Sequence, residues 1–174
     1  FFAADHTPSV FAQEQVAVVD PAAEAAATSP QPLSEEEMEI LVARIALYPD
    51  DLVAMIVSSS LYPLQIVQAQ RFLDQLKTKP ELTPDSNWDG GVISLMNYPE
   101  IVKMMSEDLG WTQTLGEAVT YQQDDVLAAI QQLRAKAVAE GIIKSDEKVT
   151  VVTENDTIVI QPTSADVIYV PQYE

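Results

Sequence analysis

Six consecutive residues, Asp85-Ser86-Asn87-Trp88-Asp89-Gly90, carry the most specific chemistry legible in this chain. They set oxygen ligands at the first, third and fifth positions and a glycine at the sixth, as in the first half of an EF-hand calcium loop, and Val92 supplies the apolar eighth position. The twelfth position, where a bidentate Glu closes the cation's shell, is Met96. Asp85, Asn87 and Asp89 would therefore hold calcium only in a site completed from elsewhere. The same residue types start turns and cap helices, and that is the reading the motif favours.

Nucleophilic catalysis fails on inventory. The single histidine, His6, lies far from the serine run Ser58-Ser59-Ser60, and there is no cysteine, so neither a Ser-His-Asp nor a Cys-His arrangement can be assembled. Zinc and haem lack ligands for the same reason. Acids abound, and a carboxylate-dependent hydrolase acting on glycan or peptidoglycan stays open as an alternative. Yet Asp50/Asp51 and Asp124/Asp125 both fall where helices are expected to begin, and there they stabilise the positive end of the helix dipole. No catalytic residue is nominated and no cofactor is expected; the inventory points away from an enzyme. Tyr48, Tyr62, Trp88, Tyr98 and Trp111, with Tyr121, could line a binding groove, because Tyr and Trp combine large apolar area with a polar handle. Packing over helix ends is the competing role.

The elements that must position these residues are punctuated by three Tyr-Pro pairs, at 48–49, 62–63 and 98–99. Proline fixes φ, lacks an amide donor and pushes the preceding residue out of the α region, so each pair ends one helix and opens another. Ser34-Glu35-Glu36-Glu37 is a capping box. Behind it Leu41, Val42 and Ile45 share a helical face that is expected to end near Tyr48. After Pro49 at the first helical position, Leu52, Val53, Ile56 and Val57 form the next buried stripe, and Leu64, Val67, Phe72, Leu73 and Leu76 follow Pro63. Residues 77–88 read as a loop and 92–97 as a short helix. Ile101, Val102, Met105 and Leu109 follow Pro99, with Gly110 as a stop. Two more helices follow, 111–119 and 124–140, the second ending at Gly141 as a C′ glycine. Runs 149–153 and 157–161 flank Glu154-Asn155-Asp156 as a hairpin, and Val167-Ile168-Tyr169-Val170 is a third β-type run before Pro171.

Composition bounds the rest. A chain of 174 residues, 47% hydrophobic, can bury one core. Twenty-seven acids against nine bases give a net charge of −18, which repels nucleic-acid phosphates and anionic lipid surfaces. No apolar stretch reaches the ~18 residues of a spanning helix. Residues 1–33, with four prolines and no base, read as a disordered acidic tether. Val10-Phe11-Ala12 has the spacing of a signal-peptidase site, so the start is either a signal remnant or an expression scar.

The ordered series Ile45-Ala46-Leu47-Tyr48-Pro49-Asp50, Tyr62-Pro63, Trp88-Asp89, Asp108-Leu109-Gly110-Trp111-Thr112, Gln131-Gln132-Leu133-Arg134 and Val167-Ile168-Tyr169-Val170-Pro171 resembles the bacterial domain-of-unknown-function family 3300, over residues 34–174. The resemblance implies exported bacterial proteins and supplies no catalytic residues. The expectation is a mainly α domain of six or seven short helices with a C-terminal antiparallel β-element of two or three strands. Its expected role is a non-enzymatic interaction or structural module of the periplasm or cell envelope, with an envelope protein or polymer as partner. A terminal β-edge free to accept another strand would serve that role. A calcium-dependent structural module is the remaining alternative.

Overall fold

Ser34 starts the first helix as its capping box predicts: its hydroxyl accepts the Glu37 amide at 3.2 Å, and the Glu37 carboxylate accepts the Ser34 amide at 2.8 Å. The computed structural model describes residues 30–164. The chain divides into two units, 1–31 and 32–174, and everything below concerns the second. Most of the expected tether, His6 and the run Val167–Val170 lie outside the described residues.

Seven helices and one hairpin are described: α1 (Glu35–Val42), α2 (Asp50–Ser59), α3 (Pro63–Leu76), α4 (Gly90–Leu95), α5 (Pro99–Glu107), α6 (Leu109–Tyr121), α7 (Gln123–Ala139), β1 (Val149–Glu154) and β2 (Thr157–Pro162). This is the expected fold class. Helix α6 is central, packing on α1, α2, α3, α5 and α7, while β2 lies against α2 and α7. Met38, Ile45, Leu52, Ile56, Met105 and Leu115 are among the fully buried residues of the main core. Among the described residues no single helix is long and apolar enough to cross a membrane.

Several boundaries differ from the local reading. Helix α1 stops at Val42, and residues 43–47 form turns that still bury Ile45 and Ala46. A helix continued to Tyr48 would leave the Ile45 carbonyl without its donor, because Pro49 has no amide. Pro49 is the cap residue, and α2 begins at Asp50. Gly110 is no stop: it sits in the first turn of α6, and the break is Asp108, whose backbone leaves the helical region and whose carboxylate accepts the Trp111 amide at 3.1 Å. On α3 the buried positions are Ile66 and Ala69, whereas Leu64 is exposed. Proline opens α3 and α5 as expected.

The hairpin pairs Glu154 with Thr157 and Val152 with Val159 around a two-residue turn. Asn155 and Asp156 both have positive φ, 49° and 62°, the conformation a type I′ turn requires and Asn and Asp tolerate best. Gly141, at φ 71°, ends α7 as anticipated. The terminal run Val167–Val170 lies outside the described residues, and part of the hairpin's own outward backbone is bonded by side chains. On β2 the outward amide and carbonyl of Ile158 bond the Gln131 side chain at 2.8 and 3.1 Å. On β1, Ser145 takes the Val151 amide and Asp146 the Val149 amide, each at 2.9 Å. Side chains satisfy these outward groups of Val149, Val151 and Ile158.

Candidate functional site: a groove between two helices

The helical period aligns Asp50, Val53, Ala54, Val57, Ser58 and Leu61 on one face of α2 and its C-terminal extension. The same arithmetic aligns Gln123, Leu127, Ile130, Gln131 and Arg134 on α7. These two faces, with Val119 of α6 and Thr157 of the hairpin, bound an open groove of about 720 Å³. Its walls are apolar. Leu61 and Leu127 stand at the rim, 44% and 53% exposed.

One end of the groove is polar and tightly built. Arg134, only 2% exposed, donates through Nε to the Ala46 carbonyl at 2.7 Å and through one terminal nitrogen to the Tyr48 carbonyl at 3.0 Å. Its other terminal nitrogen reaches Asp50 and, at 2.9 Å, the Ile158 carbonyl. Asp50 in turn accepts the Ile160 amide at 3.3 Å. One guanidinium therefore satisfies two carbonyls of the corner before α2, and it clamps α7, that corner and β2 together. Arginine suits this because its planar fork offers five donors to several acceptors at once. Ala137, Ile143 and Ile160 form a small second core behind the clamp.

The residues singled out by type are mostly elsewhere. Tyr48, Trp88, Tyr98 and Trp111 all pack against the main core, and burial pushes the Tyr48 and Tyr98 phenols up from their ordinary pKa. Trp111 donates to the Leu41 carbonyl at 2.9 Å, with Arg44 stacked 4.9 Å over its ring. Trp88 meets Phe72 edge-on at 5.9 Å and shares with Asp85 a shallow hollow of about 410 Å³. Tyr62 caps α3 and Tyr121 ends α6, both largely exposed. In the acidic loop, Asp85 accepts the Asn87 amide and Asp89 the Gly91 amide, each at 2.9 Å, which is turn and cap chemistry. Among the described residues no group of three or more His, Cys, Asp or Glu side chains is placed to hold a metal ion. Reading by residue type missed Gln131 and Arg134, although both stand in the Gln131-Gln132-Leu133-Arg134 motif; their signal was the motif itself.

A pH test follows from Asp108. The Trp111 amide, and then Arg44 at 3.0 Å, hold its carboxyl below the usual range. A carboxyl lowered by folding stabilises fully above its unfolded value, about 3.9, and that share is lost as pH falls through the lowered folded value. Melting temperature measured from neutral pH downward should show Asp108→Asn less stable than wild type near neutrality, with the gap closing in acid. A gap constant with pH would contradict this assignment.

Fold and site together define a mainly α domain with a C-terminal hairpin clamped by a buried arginine and an open apolar groove beside it. The chain belongs to the family described as protein of unknown function DUF3300, whose model matches residues 34–174. It is similar to the uncharacterized protein YacH of Escherichia coli strain K12, at 30% identity over 177 residues that cover 80% of this chain and 29% of that protein. The chain thus spans less than a third of the length of that curated relative. No solved structure matches.

Proposed function

We propose that the domain is a non-enzymatic interaction module of the bacterial cell envelope, engaging its partner through the groove between α2 and α7. The observation that carries this reading is the groove itself: about 720 Å³ of preformed apolar space, within the ~300–1,000 Å³ typical of ligand sites. Its rim leucines are half exposed, and leaving them in water favours association. The envelope location rests on the exported character that the family resemblance implies. A hydrolase draws no comparable support, since a glycosidase acid needs a raised pKa. The carboxyls of Glu37, Asp74, Asp108 and Asp146 are held below their ordinary range, chiefly by hydrogen bonds.

The test immobilises the full chain and a Leu61→Gln, Leu127→Gln double variant and exposes both to a solubilised envelope fraction. Wild type is expected to retain a protein or polymer that the variant loses by at least about tenfold, with equal melting temperatures. Equal retention by both, or catalytic turnover of a cell-wall polymer, would end this reading.

A further inference from the structure

We infer that the groove's partner is a basic amphipathic helix, about three turns long, with an apolar face flanked by Lys or Arg. This rests on the reading of the groove as the partner site and names the chemistry that fits it. The α2 wall runs from Asp50 to Leu61, ~16 Å at the helical rise of about 1.5 Å per residue, or three turns. Val53 and Val57 on one side and Leu127 and Ile130 on the other form two ridges, and a third helix laid between them would bury the exposed leucines.

Charge selects the flanks. Among the described residues the one cation lining the groove, Arg134, is buried and bonded to Asp50 and three carbonyls. It offers an incoming anion nothing. Acids surround the opening in sequence: Asp50, its carboxylate side chain 39% exposed, Asp51 beside it, Asp124 after the lining residue Gln123, and Asp156 before Thr157. Between Asp51 and Arg71 there is no charged residue, so the α2 wall is neutral beyond its first turn, and the acids next to lining residues, Asp51, Asp124 and Asp156, are exposed. In a chain of net charge −18 an acidic or phosphate-bearing occupant is repelled, a wholly apolar one leaves the rim acids unmatched, and basic flanks complement them.

Fluorescence anisotropy of labelled peptides against the full chain tests this. The probes are helix-forming peptides of about 14 residues: a Leu/Ala face with Lys flanks, the same face with Glu flanks, and a scramble of the first that keeps its charge but has no apolar face. The Lys peptide is expected to bind one to one. The Glu peptide, the scramble, and the Lys peptide on the Leu61→Gln, Leu127→Gln variant should each bind at least about tenfold more weakly. Equal binding of the Glu peptide would remove the charge preference, and equal binding of the scramble would reduce the effect to net charge. Unchanged binding to the double variant would move the site off the groove. Phosphatidylcholine vesicles, with and without phosphatidylglycerol, form the last arm: sedimentation with vesicles and no peptide binding would give the groove to a lipid surface and overturn the proposal. If envelope retention depends on Leu61 and Leu127 while Lys and Glu peptides bind alike, the module reading stands and this inference alone falls.

Discussion

Replacing Arg134 by alanine is expected to destabilise the domain by about 3–4 kcal/mol, because it strands a partly buried carboxylate and two backbone carbonyls together and removes one of two donors from a third. At the entropy of unfolding of a domain this size, that is a fall in Tm of roughly 10 °C. The guanidinium is 2% exposed, and the Ala46 and Tyr48 carbonyls would lose their side-chain donor, whereas the Ile158 carbonyl would keep Gln131. Asp50 would suffer less, since its side chain is 39% exposed and water can replace part of the pair. Asp50→Asn should accordingly cost only about 1–2 kcal/mol: the amide oxygen can still accept from Arg134 and from the Ile160 amide. Arg134→Lys should recover little, because one ammonium on a flexible stem cannot reach acceptors on three elements. Thermal unfolding ranks the three variants, and hydrogen exchange at the Ile158 and Ile160 amides reports whether β2 detaches. A loss below about 1 kcal/mol for Arg134→Ala, or unchanged exchange at those amides, would show that the clamp is not what holds the hairpin.

Gly116→Ala is the second large effect. Glycine in a helix interior is normally a weakness that alanine repairs by about 0.8–1 kcal/mol. Here α6 crosses the end of α2 so closely that a Cβ on residue 116 would sit 2.4 Å from the Ser60 carbonyl oxygen and 3.1 Å from its carbon. Those are backbone atoms, in a segment where Ser59 and Ser60 are buried, so the helices must separate. We expect a net loss of about 2–3 kcal/mol, at the upper end of what overpacking costs. Gly91 is the control. A Cβ there meets the Ser58 hydroxyl at 2.5 Å and an Asp89 carboxylate oxygen at 2.9 Å, both tips of side chains that can rotate. Gly91→Ala should cost less than half as much. Because Ser60 leads directly into Leu61, the Gly116 variant should also disturb the groove rim, visible as weaker peptide binding. A Gly116→Ala protein as stable as wild type would refute the close crossing.

Gly116 and Gly141 show what can be read without a structure. Gly141 follows a long periodic stretch and precedes a change of character, so its left-handed cap was legible. Gly116 lies in mid-helix, where nothing local distinguishes a close crossing from a tolerated weakness. The capping box at Ser34 and the hairpin about Asn155-Asp156 were legible for the same reason as Gly141. The Asp85–Gly90 loop was legible as turn and cap chemistry because its bonds link residues two apart. Arg134 was not: its partner Asp50 lies 84 positions away, and the motif around it states no role. Tyr48, Trp88, Tyr98 and Trp111 pack on the main core, which was not legible because type predicts a capacity for contact and says nothing about which side of the wall a ring faces.

The sequence by itself determined the cap that starts α1, the prolines that open α3 and α5, where the chain reverses into a hairpin, and that no Ser-His-Asp or thiolate chemistry can be assembled. Each of these is settled by dihedral preferences, caps and inventory, which act within about one helical turn. Only the tertiary structure decided that Val57 and Leu127 line an open groove while Leu52 and Ile56 fill the core, and that one arginine clamps the hairpin. Periodicity defines an apolar face, but what covers that face depends on elements brought together from distant parts of the chain.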